Sequence, residues 1–320
     1  LFVIEHLERA TSPLFSYEII PPPRGKSAKD ILDIVEQLLP FEPPFIDVTA
    51  HGAEATYEEL DDGTIRRRIR KKRPGTLSIC GIIQNRYKID TVPHLLCHGF
   101  TKEETEDAMI ELNYLGIHNV LAIRGDETNH NETNHNVSKH NGNVNAYASD
   151  LVRQLNDLKR GIYLEDIANS SPIEFCIGVG GYPEKHIESP NLKTDIEYLK
   201  RKVECGADYV VTQMFFDADD FIRFERRCRD AGITAPIIPG LKILNTKRQL
   251  HSLPKNFHVN IPEPLADEVM ESPERAVEIG IDWGVAECEK LLSHGAKCLH
   301  FYVMNDTASV SEVVGRLRKA

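Results

Sequence analysis

The chain has 320 residues and a formal net charge of −11, with 41% hydrophobic, 27% charged and 7% aromatic residues. That composition excludes disordered, collagenous and disulfide-dense classes, and the length suits one large domain or two ordinary ones with a substantial core. The negative balance argues against nucleic acid as a partner, because neutralising phosphates needs a surplus of basic surface.

Seven scattered cysteines, none spaced as Cys-x-x-Cys, read as the reduced thiols of a cytoplasmic protein. The segment Leu1 to His6 has no basic stretch followed by an apolar core, and nowhere are there the roughly 18 apolar residues of a membrane helix. Neither secretion nor a membrane partner is expected.

In chain order, Phe15 to Ile20 reads as a first strand. Ser27-Ala28-Lys29-Asp30 has the form of a capping box before Ile31, Ile34, Val35, Leu38 and Leu39, which fall on one helical face. Phe45 to Thr49 is the second strand. The run Arg66 to Arg73 is basic except at Ile69 and reads as a solvated helix face ending at Pro74-Gly75. Thr76 to Ile83 fits a strand or a helix equally well. Thr91 to Leu96 is the third strand, and Thr101 to Glu104 is a second capping box whose helix ends near Gly116. Val120 to Ile123 is the fourth strand.

The stretch 129–145 is low in complexity and carries His130, His135 and His140. A metal site there would lack apolar anchors to fix its geometry, so a mobile insertion is the better reading and no metal is expected. Beyond it come a helix from Ala146 to Lys159, strands at Glu174 to Val179, Tyr209 to Gln213, Pro236 to Gly240 and Cys298 to Val303, and helices at Asp195 to Glu204, Ala218 to Asp230 and after Ser272-Pro273.

Eight strands alternating with helices predict an α/β fold, a (β/α)8 TIM barrel over residues 1–320. An open doubly wound sheet competes, but Gly178-Val179-Gly180-Gly181 is not the G-x-G-x-x-G fingerprint that would favour it. In a parallel barrel, polar residues at the C-terminal strand ends meet the ligand. Glu18, Thr49, His94, Arg124-Gly125-Asp126, Tyr182 and Gln213 all stand at or near such ends. Each alone fits an ordinary structural role, whereas their recurrence points to a shared pocket.

The blocks Tyr17-Glu18-Ile19-Ile20-Pro21-Pro22, Val48-Thr49-Ala50-His51-Gly52, Pro93-His94-Leu95, Ala122-Ile123-Arg124-Gly125-Asp126, Tyr147-Ala148-Ser149-Asp150-Leu151, Gly181-Tyr182-Pro183-Glu184, Leu199-Lys200-Arg201-Lys202, Thr212-Gln213-Met214-Phe215-Phe216-Asp217 and His300-Phe301-Tyr302 occur in the order of one family. The chain resembles the flavin-dependent methylenetetrahydrofolate reductases, in their short bacterial form without a further regulatory domain. The resemblance implies an FAD-bearing barrel. It would oxidise NADH or NADPH and convert 5,10-methylenetetrahydrofolate to 5-methyltetrahydrofolate by ping-pong hydride transfer, in a homo-oligomer serving methionine biosynthesis.

By resemblance, Thr49, His94, Arg124, Gly125, Asp126, Tyr147, Ala148, Tyr182, His186, Asp195, Arg201 and Lys202 surround FAD. Glu18 is the general acid, Asp126 lies by the flavin and pterin, and Gln213, Gln249 and Leu253 hold the substrate together with Glu18. One position departs from the family pattern: Asp306 stands where an arginine is common. Two other classes compete with this reading. One is a flavin-free lyase or aldolase using Lys242 as a Schiff-base nucleophile, and the other is a metal-binding protein centred on the histidine-bearing insertion.

Overall fold

In the computed structural model, which describes residues 1–125, 143–304 and 306–319, one parallel sheet closes on itself. Its strands are β1 (Leu14–Ile19), β2 (Phe45–Val48), β5 (Asp90–Leu96), β6 (Asn119–Ile123), β7 (Cys176–Gly181), β8 (Tyr209–Thr212), β9 (Ile237–Ile238), β10 (Gly240–Leu241) and β11 (Cys298–Met304). Their order is β10-β11-β1-β2-β5-β6-β7-β8-β9. Since β9 and β10 are the two halves of one strand interrupted at Pro239, nine strands fill eight positions of a (β/α)8 barrel. Proline lacks the N–H that would continue the ladder, which accounts for the break. The remaining strands, β3 (Ala53–Glu59) and β4 (Ile65–Lys71), form a separate antiparallel hairpin.

The helices are α1 (Val3–Arg9), α2 (Ala28–Leu38), α3 (Thr76–Tyr87), α4 (Lys102–Tyr114), α5 (Ala148–Leu158), α6 (Leu192–Glu204), α7 (Ala218–Asp230), α8 (Gln249–Phe257), α9 (Glu263–Glu271), α10 (Ala276–His294) and α11 (Thr307–Leu317). Both sequence-predicted capping boxes form. Lys29 N donates to Ser27 Oγ at 3.1 Å and Ser27 N to Asp30 at 3.1 Å, while Glu104 N donates to Thr101 Oγ1 at 3.1 Å and Thr101 N to Glu104 at 2.8 Å.

Alternation along the strands sorts the core into two sets. Phe15, Tyr17, Ile19, Ile46, Val48, Val120, Ala122, Ile177, Val179, Phe301 and Val303 pack in a cluster with helix residues such as Ile31, Val35, Leu151 and Val310. Phe45, Val92, Leu121, Cys176, Tyr209, Val211, Ile238 and Cys298, of the opposite parity, form the lower barrel interior. There α1 supplies Val3 and Leu7 as a floor. It is tied down by Val3 N to Asn119 Oδ1 at 2.8 Å and by His6 Nε2, 2.7 Å from Asp90.

Two expectations change. The basic run Arg66 to Arg73 is not a helix face, because residues 65–71 form β4, paired with β3 in the register Thr56↔Arg68 and Glu58↔Arg66. The hairpin is largely exposed, so its sequence carries none of the apolar alternation that marks a half-buried strand. Opposite charges across the two strands do that work, as in the Arg68–Glu58 ion pair at 2.9 Å. The ambiguous Thr76 to Ile83 segment is the start of α3.

Candidate active site

The C-terminal strand ends bring together a buried polar group of side chains above the apolar floor. Glu18 on β1 is in register with Asp47 on β2 and with Tyr302 on β11. Its carboxylate lies 3.5 Å from His94 Nε2, which lies 3.6 Å from Asp47. Asp47 is 4.0 Å from His300 Nδ1, and that nitrogen is 2.9 Å from Ser16 Oγ. Asp47 and His300 are fully buried, and His94 is only 5% exposed.

Burial decides the charge of these groups. It pushes Glu18 up to about 7, with His94 pulling the value down and Asp47 pushing it further up. It lifts Asp47 well above the carboxylate range, holds His94 below the usual imidazole value and takes His300 down to about 3. Burial thus favours the neutral form of every member, and Glu18, raised to about 7, is the one poised to give or take a proton near neutrality. Asp47 is the member that the search of strand ends missed. It sits mid-strand in Phe45-Ile46-Asp47-Val48, where a lone acid among apolar residues was the available signal.

Beside Glu18 the last strand is irregular. Glu18 pairs with Tyr302 but Ile19 pairs with Met304, so Val303 is an extra residue and Met304 takes a φ of +55°. Lys242 Nζ donates to the Val303 carbonyl at 3.4 Å, and burial lowers its ammonium pKa while Asp306 opposes the shift. Lys242 thus supports the bulge. Asp306 caps α11 through Ser309 N at 3.0 Å and accepts from Asn245 Nδ2 at 2.5 Å. Tyr302 OH donates to the Thr212 carbonyl at 2.7 Å, and Thr212 Oγ1 accepts from Gly240 N at 2.9 Å. Gly240 has to be glycine, because a Cβ would lie 2.2 Å from the Thr212 carbonyl oxygen.

A second cluster sits at the ends of β6 and β7. The Arg124 guanidinium forms a two-pronged ion pair with Glu188. The His186 ring packs edge-on against Tyr182 at 4.7 Å, and its backbone N donates to Asp195 at 3.2 Å. Asp195 also accepts from Ser189 Oγ at 2.7 Å. Lys202 donates to the Gly180 carbonyl, and burial pushes it down to about 8, against the pull of Asp195.

Thr49, His94, Arg124, Gly125, Tyr182, His186, Asp195 and Lys202 thus all occur on the strand-end face or on the helix beside it. Arg201 turns elsewhere, its guanidinium 5.9 Å from the exposed Tyr198 ring. Tyr147 is 63% exposed at the start of α5, next to Ala148. Gln213 follows β8, and its side-chain carbonyl accepts from Met214 N at 2.9 Å. Gln249 clamps its own loop, accepting from Asn245 N at 2.7 Å and Thr246 N at 3.2 Å. Leu253 is buried in a cluster with Met214, Phe216, Leu244 and Val259. Asp126 lies outside the described residues, as do His130, His135, His140 and most of the 129–145 insertion.

A cavity opens beside the Glu18 group. His94, Leu95 and Leu96 from β5, Ala50 and His51 after β2, Lys71 and Arg73 at the base of the hairpin, the start of α3 and part of α4 line it. Among the described residues no helix is long and apolar enough to cross a membrane, and no cluster of three or more His, Cys, Asp or Glu side chains could hold a metal.

Comparison with known proteins agrees with this architecture. A family model described as Methylenetetrahydrofolate reductase matches residues 3–318. Methylenetetrahydrofolate reductase 1 of Schizosaccharomyces pombe is 33% identical over 95% of this chain and 45% of its own length. The 5,10-methylenetetrahydrofolate reductase of Escherichia coli is 29% identical over 91% of this chain and 86% of its own. The chain spans about half the length of the yeast and plant relatives it matches. A solved Clostridium thermocellum protein that binds two copies of 5-methyl-5,6,7,8-tetrahydrofolic acid shares the fold, with a TM-score of 0.58 at 13% identity over 98% of this chain and 97% of its own. With residues 3–318 matched by its family model, the chain belongs to the methylenetetrahydrofolate reductase family.

Proposed function

We propose that this chain is an FAD-dependent barrel that reduces 5,10-methylenetetrahydrofolate to 5-methyltetrahydrofolate at the expense of reduced nicotinamide. The observation that carries the reading is Glu18, a carboxyl at a barrel strand end whose proton affinity is set near neutrality by burial beside His94 and Asp47. Such a group suits general acid catalysis at pH 7. Opening the five-membered ring of the substrate needs a proton on the departing nitrogen. Glu18 supplies it, and the resulting iminium carbon is the hydride acceptor.

The residues present fit FAD. Thr49 Oγ1 and His94 Nε2 are buried polar atoms with no hydrogen-bond partner among the described residues. Lys202 is a buried cation whose depressed proton affinity an anionic group would restore. Lys202 and Arg124 would hold the diphosphate, Asp195 a sugar hydroxyl, and Thr49, His94 and Tyr182 the ring system. When bound, FAD supplies the hydride chemistry. Asp126 is proposed to lie near the flavin and pterin, and Gln213 to hydrogen-bond the pterin, with its amide nitrogen as donor. Gln249 and Leu253 are proposed to contact the substrate from the loop and the core in which they are held.

Relatives are named for NADH in rice and maize and for NADPH in Caenorhabditis elegans, so either donor fits the reading. The test is anaerobic. Reduced nicotinamide should bleach the flavin absorbance of the purified protein, and methylenetetrahydrofolate should restore it. A colourless protein, or a bleached one that the folate leaves bleached, would refute the proposal.

A further inference from the structure

We propose that Asp47 is a positioning residue of the reductase: from beneath the rim it occupies the one imidazole nitrogen of His94 that would otherwise draw the proton of Glu18, and so keeps that proton on Glu18 for the substrate. This deepens the reductase reading and rests on it for its catalytic consequence. Barrel interiors are ordinarily filled by Val, Ile and Leu. Asp47 and His94 stand two residues beyond Phe45 and Val92 on β2 and β5, hence on the same inward face and one layer above the apolar floor. A carboxyl with no exposure costs free energy there that an apolar side chain would not.

His94 Nε2 lies 3.5 Å from Glu18 and 3.6 Å from Asp47, so two acids flank one nitrogen almost evenly. A neutral imidazole has a single acceptor nitrogen, which takes one proton. His300 does not compete for Asp47, because its Nδ1 is 4.0 Å away and already 2.9 Å from Ser16 Oγ. Neither Asp47 oxygen, nor His94 Nε2, has a hydrogen-bond partner among the described residues. A gap of 3.6 Å closes by a small side-chain rotation or by one bridging water. Burial favours the protonated form of Asp47, and that form is a donor.

The other titratable groups that face the two acids are His94 on β5, His300, Tyr302 and Cys298 on β11, Tyr209 on β8 and Cys80 on α3. Burial holds each of them in its neutral form, lowering the imidazoles and raising the phenols and thiols. The proton of Glu18 is therefore contested by His94 alone. With no donor at position 47, the free nitrogen draws that proton, the resulting carboxylate and imidazolium stabilise each other, and the acid form needed by the substrate is depleted.

The test compares Asp47→Asn, whose amide keeps a donor, with Asp47→Leu, which has a similar shape and none; Asp47→Ala serves if the leucine variant does not fold. In the FAD-loaded proteins, the rate at which methylenetetrahydrofolate reoxidises the reduced flavin is followed against pH. Asp47→Asn should stay within about threefold of wild type, with its alkaline fall near pH 7. Asp47→Leu should begin that fall at least about one pH unit lower, so that it is about tenfold slower than wild type at pH 8 and approaches it toward pH 5. Urea unfolding of each protein against the same protein carrying Glu18→Gln reads the proton affinity of Glu18 without turnover. The stability difference should level off near pH 7 in the wild-type and asparagine pairs and about one unit lower in the leucine pair. A leucine variant whose fall stays near pH 7 would overturn the proposal. So would an asparagine variant displaced as far as the leucine one, which would make Asp47 act by charge. A displaced stability profile without folate turnover supports the hold of Asp47 on Glu18 and refutes the reductase, whereas turnover with an undisplaced profile does the reverse.

Discussion

Replacing Glu18 by glutamine tests the electrostatics and the chemistry together. Burial displaces the Glu18 carboxyl from 4.5 to about 7, so the native state binds its proton more tightly than the unfolded chain does. The stability this group allows is complete below about pH 4.5 and is lost as pH rises through 7. The displacement amounts to about 3 kcal/mol at pH 8. Glutamine has nearly the same shape and does not titrate. Relative to wild type, Glu18→Gln should gain stability steadily between pH 4.5 and 7, by up to about 3 kcal/mol at pH 8.

Urea unfolding of both proteins at a series of pH values reads that difference directly. In catalysis the variant should lose about 10²- to 10⁴-fold in folate reduction, the usual worth of a general acid. It should keep FAD and still oxidise NADH with an artificial acceptor. The wild-type folate half-reaction should fall about tenfold per pH unit well above 7, as the donor form is depleted. A stability difference that ignores pH, together with folate turnover within a few-fold of wild type, would refute the account of Glu18.

Lys202→Met removes a buried cation whose proton affinity is depressed, so the flavin-free protein should be at least as stable as wild type below pH 8, while FAD binds about 10- to 100-fold more weakly. Flavin fluorescence titration checks this, and unchanged affinity would remove Lys202 from the cofactor site. Asp306→Ala should cost about 1 kcal/mol by uncapping α11, and Asp306→Asn should recover most of it. Thermal melts of the pair separate capping from any effect on ligand.

The barrel was legible because its strands are short apolar runs between well-marked helices. Thr101 and Glu104 announced a helix start that the structure builds as expected. Strand β7 runs to Gly181, two residues past the apolar run, because Gly180 and Gly181 extend the ladder without side chains to signal it. The hairpin was not legible: with little buried side, its two arms carry no apolar alternation, and the basic arm is paired with the acidic arm just before it through charge rather than through an apolar face. Glu18, His94 and Thr49 stood out as polar residues interrupting apolar strand ends. The closeness of Asp47 to Glu18 and His94 did not, since proximity between neighbouring strands is a property of register rather than of sequence. Resemblance proposed Gln249 and Leu253 as ligand contacts, and the structure shows what each does within the protein, one clamping a loop and the other filling a core.

The helix beneath the barrel has one more consequence. With Val3 and Leu7 wedged under the strands, the barrel is corked at its base, so whatever the protein binds has to arrive and depart across the opposite rim. The loops of that rim are where access can be tuned without touching the packed interior.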